Sequence, residues 1–122
     1  PYAFLDAVDL SHGRMRWQVP FGDDAAIRRH KALAGVDLPA QLGAAGNAGA
    51  LVTAGGLVFV GGGDEAFHAV DTDTGRDLWR FDTQGQKTTG TPMTYRLEGR
   101  QYVAIAVGGP GAGAKLLVFA LP

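Results

Sequence analysis

The chain repeats itself. Residues 5–17, LDAVDLSHGRMRW, lie over residues 67–79, FHAVDTDTGRDLW, at an offset of 62. The shared positions spell A-V-D-x-x-x-G-R-x-x-W. They are Ala7, Val8, Asp9, Gly13, Arg14 and Trp17 in one copy and Ala69, Val70, Asp71, Gly75, Arg76 and Trp79 in the other. Both tryptophans of the chain fall in the repeat. Each copy reads as a strand ending at Asp, a turn that needs Gly, and a returning strand with a large aromatic residue. The small Ala is expected to leave space for the flat indole of a neighbouring copy. Repeats of a four-stranded unit point to an all-β architecture, a β-propeller in which each blade buries its faces against the next.

The rest of the sequence fits that reading. Strand-like runs are expected at 3–9, 14–19, 51–54, 57–60, 66–71, 77–82, 91–97, 101–107 and 116–121, joined mostly by hairpins. Gly55-Gly56 reads as a two-residue hairpin loop, and Glu98-Gly99-Arg100 as another turn. LVFV at 57–60 and YVAIAV at 102–107 are nearly continuous in apolar residues, as strands buried on both faces are. The exception is the stretch 20–48. A thin-faced helix is expected over 23–33, with Asp23 or Asp24 near its N-cap, followed by an unpatterned Gly/Ala-rich segment. Such a segment is functional, a disordered mobile connector, or a crossing between structural units.

The repeat divides the chain into a half blade at 3–19, a connector at 20–48, a full blade at 49–82 and a three-stranded last blade at 91–121. That is about two and a half blades, and a closed ring needs at least about four. The chain is therefore expected to need further blades, or to associate with itself through exposed strands. Its beginning, PYAF, without Met or a basic leader region, reads like the middle of a longer chain.

Composition excludes several functions. The 122 residues hold 11 Lys and Arg against 12 Asp and Glu, a net charge of −1, which disfavours a nucleic-acid binder. With no Cys there is no disulfide, thiolate metal site or thiol nucleophile. No apolar run is long enough for a membrane-spanning helix. His12, His30 and His68 are scattered and form no metal-binding spacing. Asp71 and Asp73 lack the rest of a calcium loop, and Asp9 and Asp71 are expected to bond their turn backbones. Asp64-Glu65 reads as solvated loop charge. The Gly runs at 61–63 and 108–113 lack the Lys of a phosphate loop, and Ser11, the only Ser, has no nucleophile-elbow context. No self-contained active site emerges.

The A-x-D-x-x-x-G-x-x-x-W spacing resembles the tryptophan-docking motif of quinoprotein dehydrogenases, eight-bladed propellers that carry pyrroloquinoline quinone (PQQ). The same motif occurs in non-enzymatic propellers, so a binding or assembly scaffold is the alternative. LVTAGGLVFVG at 51–61, GTPMTY at 90–95, GRQYVAIAVGG at 99–109 and the terminal VFALP at 118–122 resemble the C-terminal end of the glucose/alcohol-dehydrogenase-like branch.

The resemblance implies periplasmic oxidation of a sugar or alcohol. A carboxylate takes the hydroxyl proton, hydride passes to the quinone, Ca²⁺ polarises its carbonyl, and electrons leave to ubiquinone or a cytochrome. It places the catalytic Asp, the Ca²⁺ ligands and the Lys and Arg contacts to the quinone in earlier blades, outside this chain. Two segments match places near the cofactor. Asn47-Ala48-Gly49 stands where the family usually has Gly-Gly before the inner strand, Gly49 fitting and Ala48 departing. Gly108-Gly109-Pro110-Gly111 stands where the family has a loop near the funnel mouth. The isolated chain is expected to bind no quinone usefully.

Overall fold

A computed structural model of the chain describes residues 3–46, 48–88, 90–109 and 111–120. It contains three antiparallel sheets. The first pairs β1 (Phe4–Asp9) with β2 (Arg14–Pro20). The second runs β3 (Ala50–Val52), β4 (Leu57–Gly61), β5 (Ala66–Asp71) and β6 (Asp77–Asp82) in sequence order. The third centres on β9 (Arg100–Gly109). On one side it pairs with β10 (Ala112–Ala120), and on the other with both β7 (Lys87–Thr88) and β8 (Met93–Leu97).

Two apolar clusters join the sheets. Leu5, Trp17 and Phe21 pack on Val58, Val60 and Val70 between the first and second. Phe67, with Leu51 and Phe59, packs on Val103, Ile105 and Val107 between the second and third. Of the strands read as continuously apolar, β4 is buried or half-buried throughout and β9 is buried at Val103–Ile105 and Val107, but the most enclosed strand is β5, buried from Ala66 to Val70. The chain is thus part of a β-propeller, each sheet covering its neighbour.

The turns are built by position-specific backbone. In both copies of the repeat a β-bulge falls between Ala and Val, at Ala7/Val8 and Ala69/Val70. Asp71 Oδ1 accepts the Asp73 and Thr74 N–H groups, and Asp9 Oδ1 accepts those of Ser11 and His12. The hydroxyl of Thr74 and then its backbone N–H hold the Asp71 carboxyl below the usual carboxylate range. The motif Ala behaves differently from expectation. Ala7 and Ala69 are the cross-strand partners of Trp17 and Trp79 in their own sheets. The neighbour's indole is received by glycine instead. Trp17 lies where a side chain on Gly75 would be, 2.7 Å from that position, and its Nε1 donates to the Thr72 carbonyl at 2.9 Å.

Hairpin details also depart from the sequence reading. Gly55-Gly56 is not a two-residue loop. The Thr53 N–H donates to the Leu57 carbonyl and the Gly56 N–H to the Thr53 carbonyl, so the loop is the three residues 54–56, of which only Gly56 is left-handed. The tight primed-type loop is Glu98-Gly99, where Leu97 pairs directly with Arg100 and both loop residues have positive φ. The expected 23–33 helix breaks into one α turn, α1 (Ala25–Arg28), capped by Asp24, and a 3-10 turn at Lys31–Leu33. Its apolar face is too thin to bury.

The described residues of the 20–48 segment lie against the sheets as a strap. The Arg28 guanidinium bonds Asp23 and the carbonyls of Pro39 and Ala40. The Ala44 N–H donates to the Phe21 carbonyl, and Leu42, Gly43 and Ala44 are buried.

Candidate functional site

Register sorts the chain's chemistry to the two ends of the strands. Ala50 pairs with Val60, Gly61 with Phe67, Ala66 with Asp82, and Lys87 with Gly108. One end therefore gathers Ala48-Gly49, the 61–65 loop, the 83–88 crossing and Gly108-Gly109. The repeat turns and the Glu98-Gly99 loop lie at the other. Gly46 abuts the backbone of Gly63, so the strap crosses the first of these ends.

The predicted site residues converge there in a chain of contacts. The Ala48 methyl lies 3.3 Å from the place a side chain on Gly61 would take, and that place is filled by Thr88. Thr88 donates its hydroxyl to the Gly62 carbonyl at 3.2 Å and pairs with Val107, beside Gly108. At Gly49 the missing side chain is accounted for by Thr91, which occupies its space. A side chain at Gly108 would meet Ala114 at 3.3 Å, whereas Gly109 opens onto free space. Gly108 and Gly109 are the last residues of β9 rather than loop, because β9 and β10 run on to the pair Gly109–Ala112. Asn47 and Pro110 lie outside the described residues.

A second constellation was not expected. Asp64, read as solvated, is buried, and so is His68 in the middle of β5. His68 Nδ1 is 2.7 Å from Asp77 Oδ2, and its Nε2 is 3.2 Å from Asp64 Oδ2. Burial, the largest influence, pulls the ring toward the neutral form. The bonds and charges of Asp64 and Asp77 together outweigh it and hold the proton to above the ordinary histidine range. The repeat alignment carried the signal: His68 replaces Asp6 and Asp77 replaces Met15. Among the described residues no group of three or more His, Cys, Asp or Glu is arranged to hold a metal ion.

Residues 1–103 match the family described as "Glucose/ethanol/alcohol dehydrogenase, beta-propeller domain", the PQQ family. The chain belongs to that family. This quinoprotein propeller segment is 37% identical over 129 residues to the glycerol dehydrogenase large subunit of Gluconobacter thailandicus. That alignment covers all of the chain and 17% of the relative. It is 46% identical over 65 residues to the quinoprotein ethanol dehydrogenase of Pseudomonas aeruginosa, covering 53% of the chain and 10% of that protein. The quinohemoprotein alcohol dehydrogenase of Comamonas testosteroni superposes with a TM-score of 0.70 at 28% identity, over 96% of the chain and 16% of that structure. The chain thus spans about one-sixth of the length of its full-coverage relative. No helix among the described residues is long and apolar enough to cross a membrane.

Proposed function

We propose that the chain is a propeller segment of a quinoprotein dehydrogenase that oxidises a sugar or alcohol in the periplasm. Residues 3–20, 49–82 and 87–120 contribute to three successive blades, the third beginning at β7 rather than at 91. The observation that carries this reading is the convergence of Ala48-Gly49 and Gly108-Gly109 at the strand end crossed by the strap. That end fits a flat quinone in one respect. Ala48 and Gly109 present only backbone and a methyl group, and among the described residues, Gly109's chain neighbours aside, nothing stands within 4 Å of where a Gly109 side chain would begin. Gly49 contributes by letting Thr91 close against the start of β3.

Acceptance of hydride is chemistry that PQQ supplies when bound. This chain's own residues Ala48, Gly49, Gly108 and Gly109 would shape one wall of the cofactor end. In this reading the acid–base carboxylate and the Ca²⁺ ligands belong to other blades, and electrons leave to ubiquinone or a cytochrome. A chimera tests the proposal: this chain replaces the aligned segment of the Gluconobacter glycerol dehydrogenase large subunit. With PQQ and Ca²⁺ the chimera is expected to reduce a dye with a polyol as donor, while the 122-residue chain alone does not. A folded chimera that fails to take up PQQ would sink the enzyme reading in favour of a scaffold.

The other blades are also the proposed partners of the outer sheets. Val8, Leu10 and Met15 on the first, and Met93, Leu97 and Leu116 on the third, are exposed. The isolated chain is expected to self-associate through these sheets. Light scattering checks this, and a monodisperse monomer would count against it.

A further inference from the structure

We propose that the Asp64–His68–Asp77 cluster is a pH-sensitive latch fastening the 20–48 strap to the second sheet. It is closed while the imidazole carries both ring protons and opens when one is lost. The proposal stands independently of the enzyme reading.

The argument begins with donors and acceptors. Both nitrogens of His68 face carboxylates, Asp77 at 2.7 Å and Asp64 at 3.2–3.3 Å. A carboxylate only accepts, so two such bonds need two ring N–H groups, which only the imidazolium has. His68 is 3% exposed, so its ring nitrogens are met by the two carboxylates rather than by bulk water. The Phe21 ring of the strap lies edge-on to the imidazole at 5.0 Å.

The strap faces the cluster across two clefts. In one, of about 290 Å³, Asp23, Asp24 and Arg29 of the strap oppose Asp64, Glu65 and Arg80, with Lys87 of β7 at the margin. In the other, of about 180 Å³, Phe21, Gly22 and Gln41 oppose His68 and Asp77. The loop carrying Asp64 touches the strap's far end directly, Gly63 abutting Ala45 and Gly46. Arg80 stands 3.8 Å from Asp64, so two carboxylates meet two cations while the ring is charged. Loss of the ring proton removes one cation and sets a lone pair against a carboxylate oxygen inside this wall.

The sign follows from the raised affinity of His68 for its proton. The latch is fully closed below the ordinary histidine value of about 6.5 and is lost as pH rises through the higher value of the folded chain.

Trypsin reads the strap at Arg28, Arg29 and Lys31. Cleavage of the full chain is followed from pH 6 to 9 and normalised at each pH to a free peptide of the strap sequence. The wild-type ratio is expected to rise with pH once the ordinary histidine value of about 6.5 is passed. The His68→Gln ratio is expected to be high and flat. A flat wild-type ratio, or a parallel rise in the variant, overturns the latch. Should the variant fail to fold, nitrogen-15 NMR of the wild-type ring decides. A ring that keeps both nitrogens protonated up to a midpoint above about 6.5, coincident with the rise in cleavage, supports the proposal, and a ring already neutral at pH 6 refutes it.

Discussion

Trp17→Ala is expected to destabilise the chain by about 3–5 kcal/mol, and Trp79→Ala by only about 1–2, although the two share one place in the repeat. The difference comes from what receives each indole. Trp17 lies across Gly75, donates to the Thr72 carbonyl and joins the Val58–Val60–Val70 cluster. Its removal opens a cavity and leaves a partly buried carbonyl without its donor. Trp79 is 40% exposed, and its ring contacts are with Phe67, Phe81 and Phe119. Gly75→Ala is the companion test, since φ is +74° there and the new methyl would press on the Trp17 ring. Thermal melts check all three. Equal losses for the two tryptophans, or no loss for Trp17, would refute the asymmetric account.

That asymmetry marks the limit of what the sequence makes legible. The repeat exposes the sheets, their antiparallel order and the Asp-anchored turns, because each depends on residues close together in sequence. It does not say which residue of the next sheet meets an indole. Ala69 is near Trp79 through its own hairpin, while Gly75 meets Trp17 only after two sheets pack. The loop register at Gly55-Gly56 was misread for a related reason. Two glycines permit several turns, and the bond from Gly56 back to Thr53 selects one. In the candidate site, the glycines at 49 and 61 are visible as glycines. The reason for them, Thr91 and Thr88 arriving from the next sheet, is not. The strap looked structureless because its order rests on backbone contacts and on Arg28, which no periodicity announces.

Phe67→Ala is the second large effect, about 3–5 kcal/mol. Phe67 has no exposed surface and stands at the centre of the interface between the second and third sheets. Its ring lies 6.1 Å from Phe59, 5.7 Å from Phe119 and 6.2 Å from Trp79. It occupies the repeat position of Leu5, which plugs the other interface against Val58, Val60 and Val70. Where units contact only their neighbours, losing one plug should loosen one interface before the rest. Phe67→Ala is therefore expected to speed amide exchange in β9 and β10 more than in β1 and β2, and Trp17→Ala to do the reverse. The smaller change Phe67→Leu should cost less than half as much, because most of the volume is kept. Exchange measured by strand separates this account from a single cooperative core. Protection falling equally in all three sheets, in either variant, would show that the interfaces do not act as separate nearest-neighbour contacts.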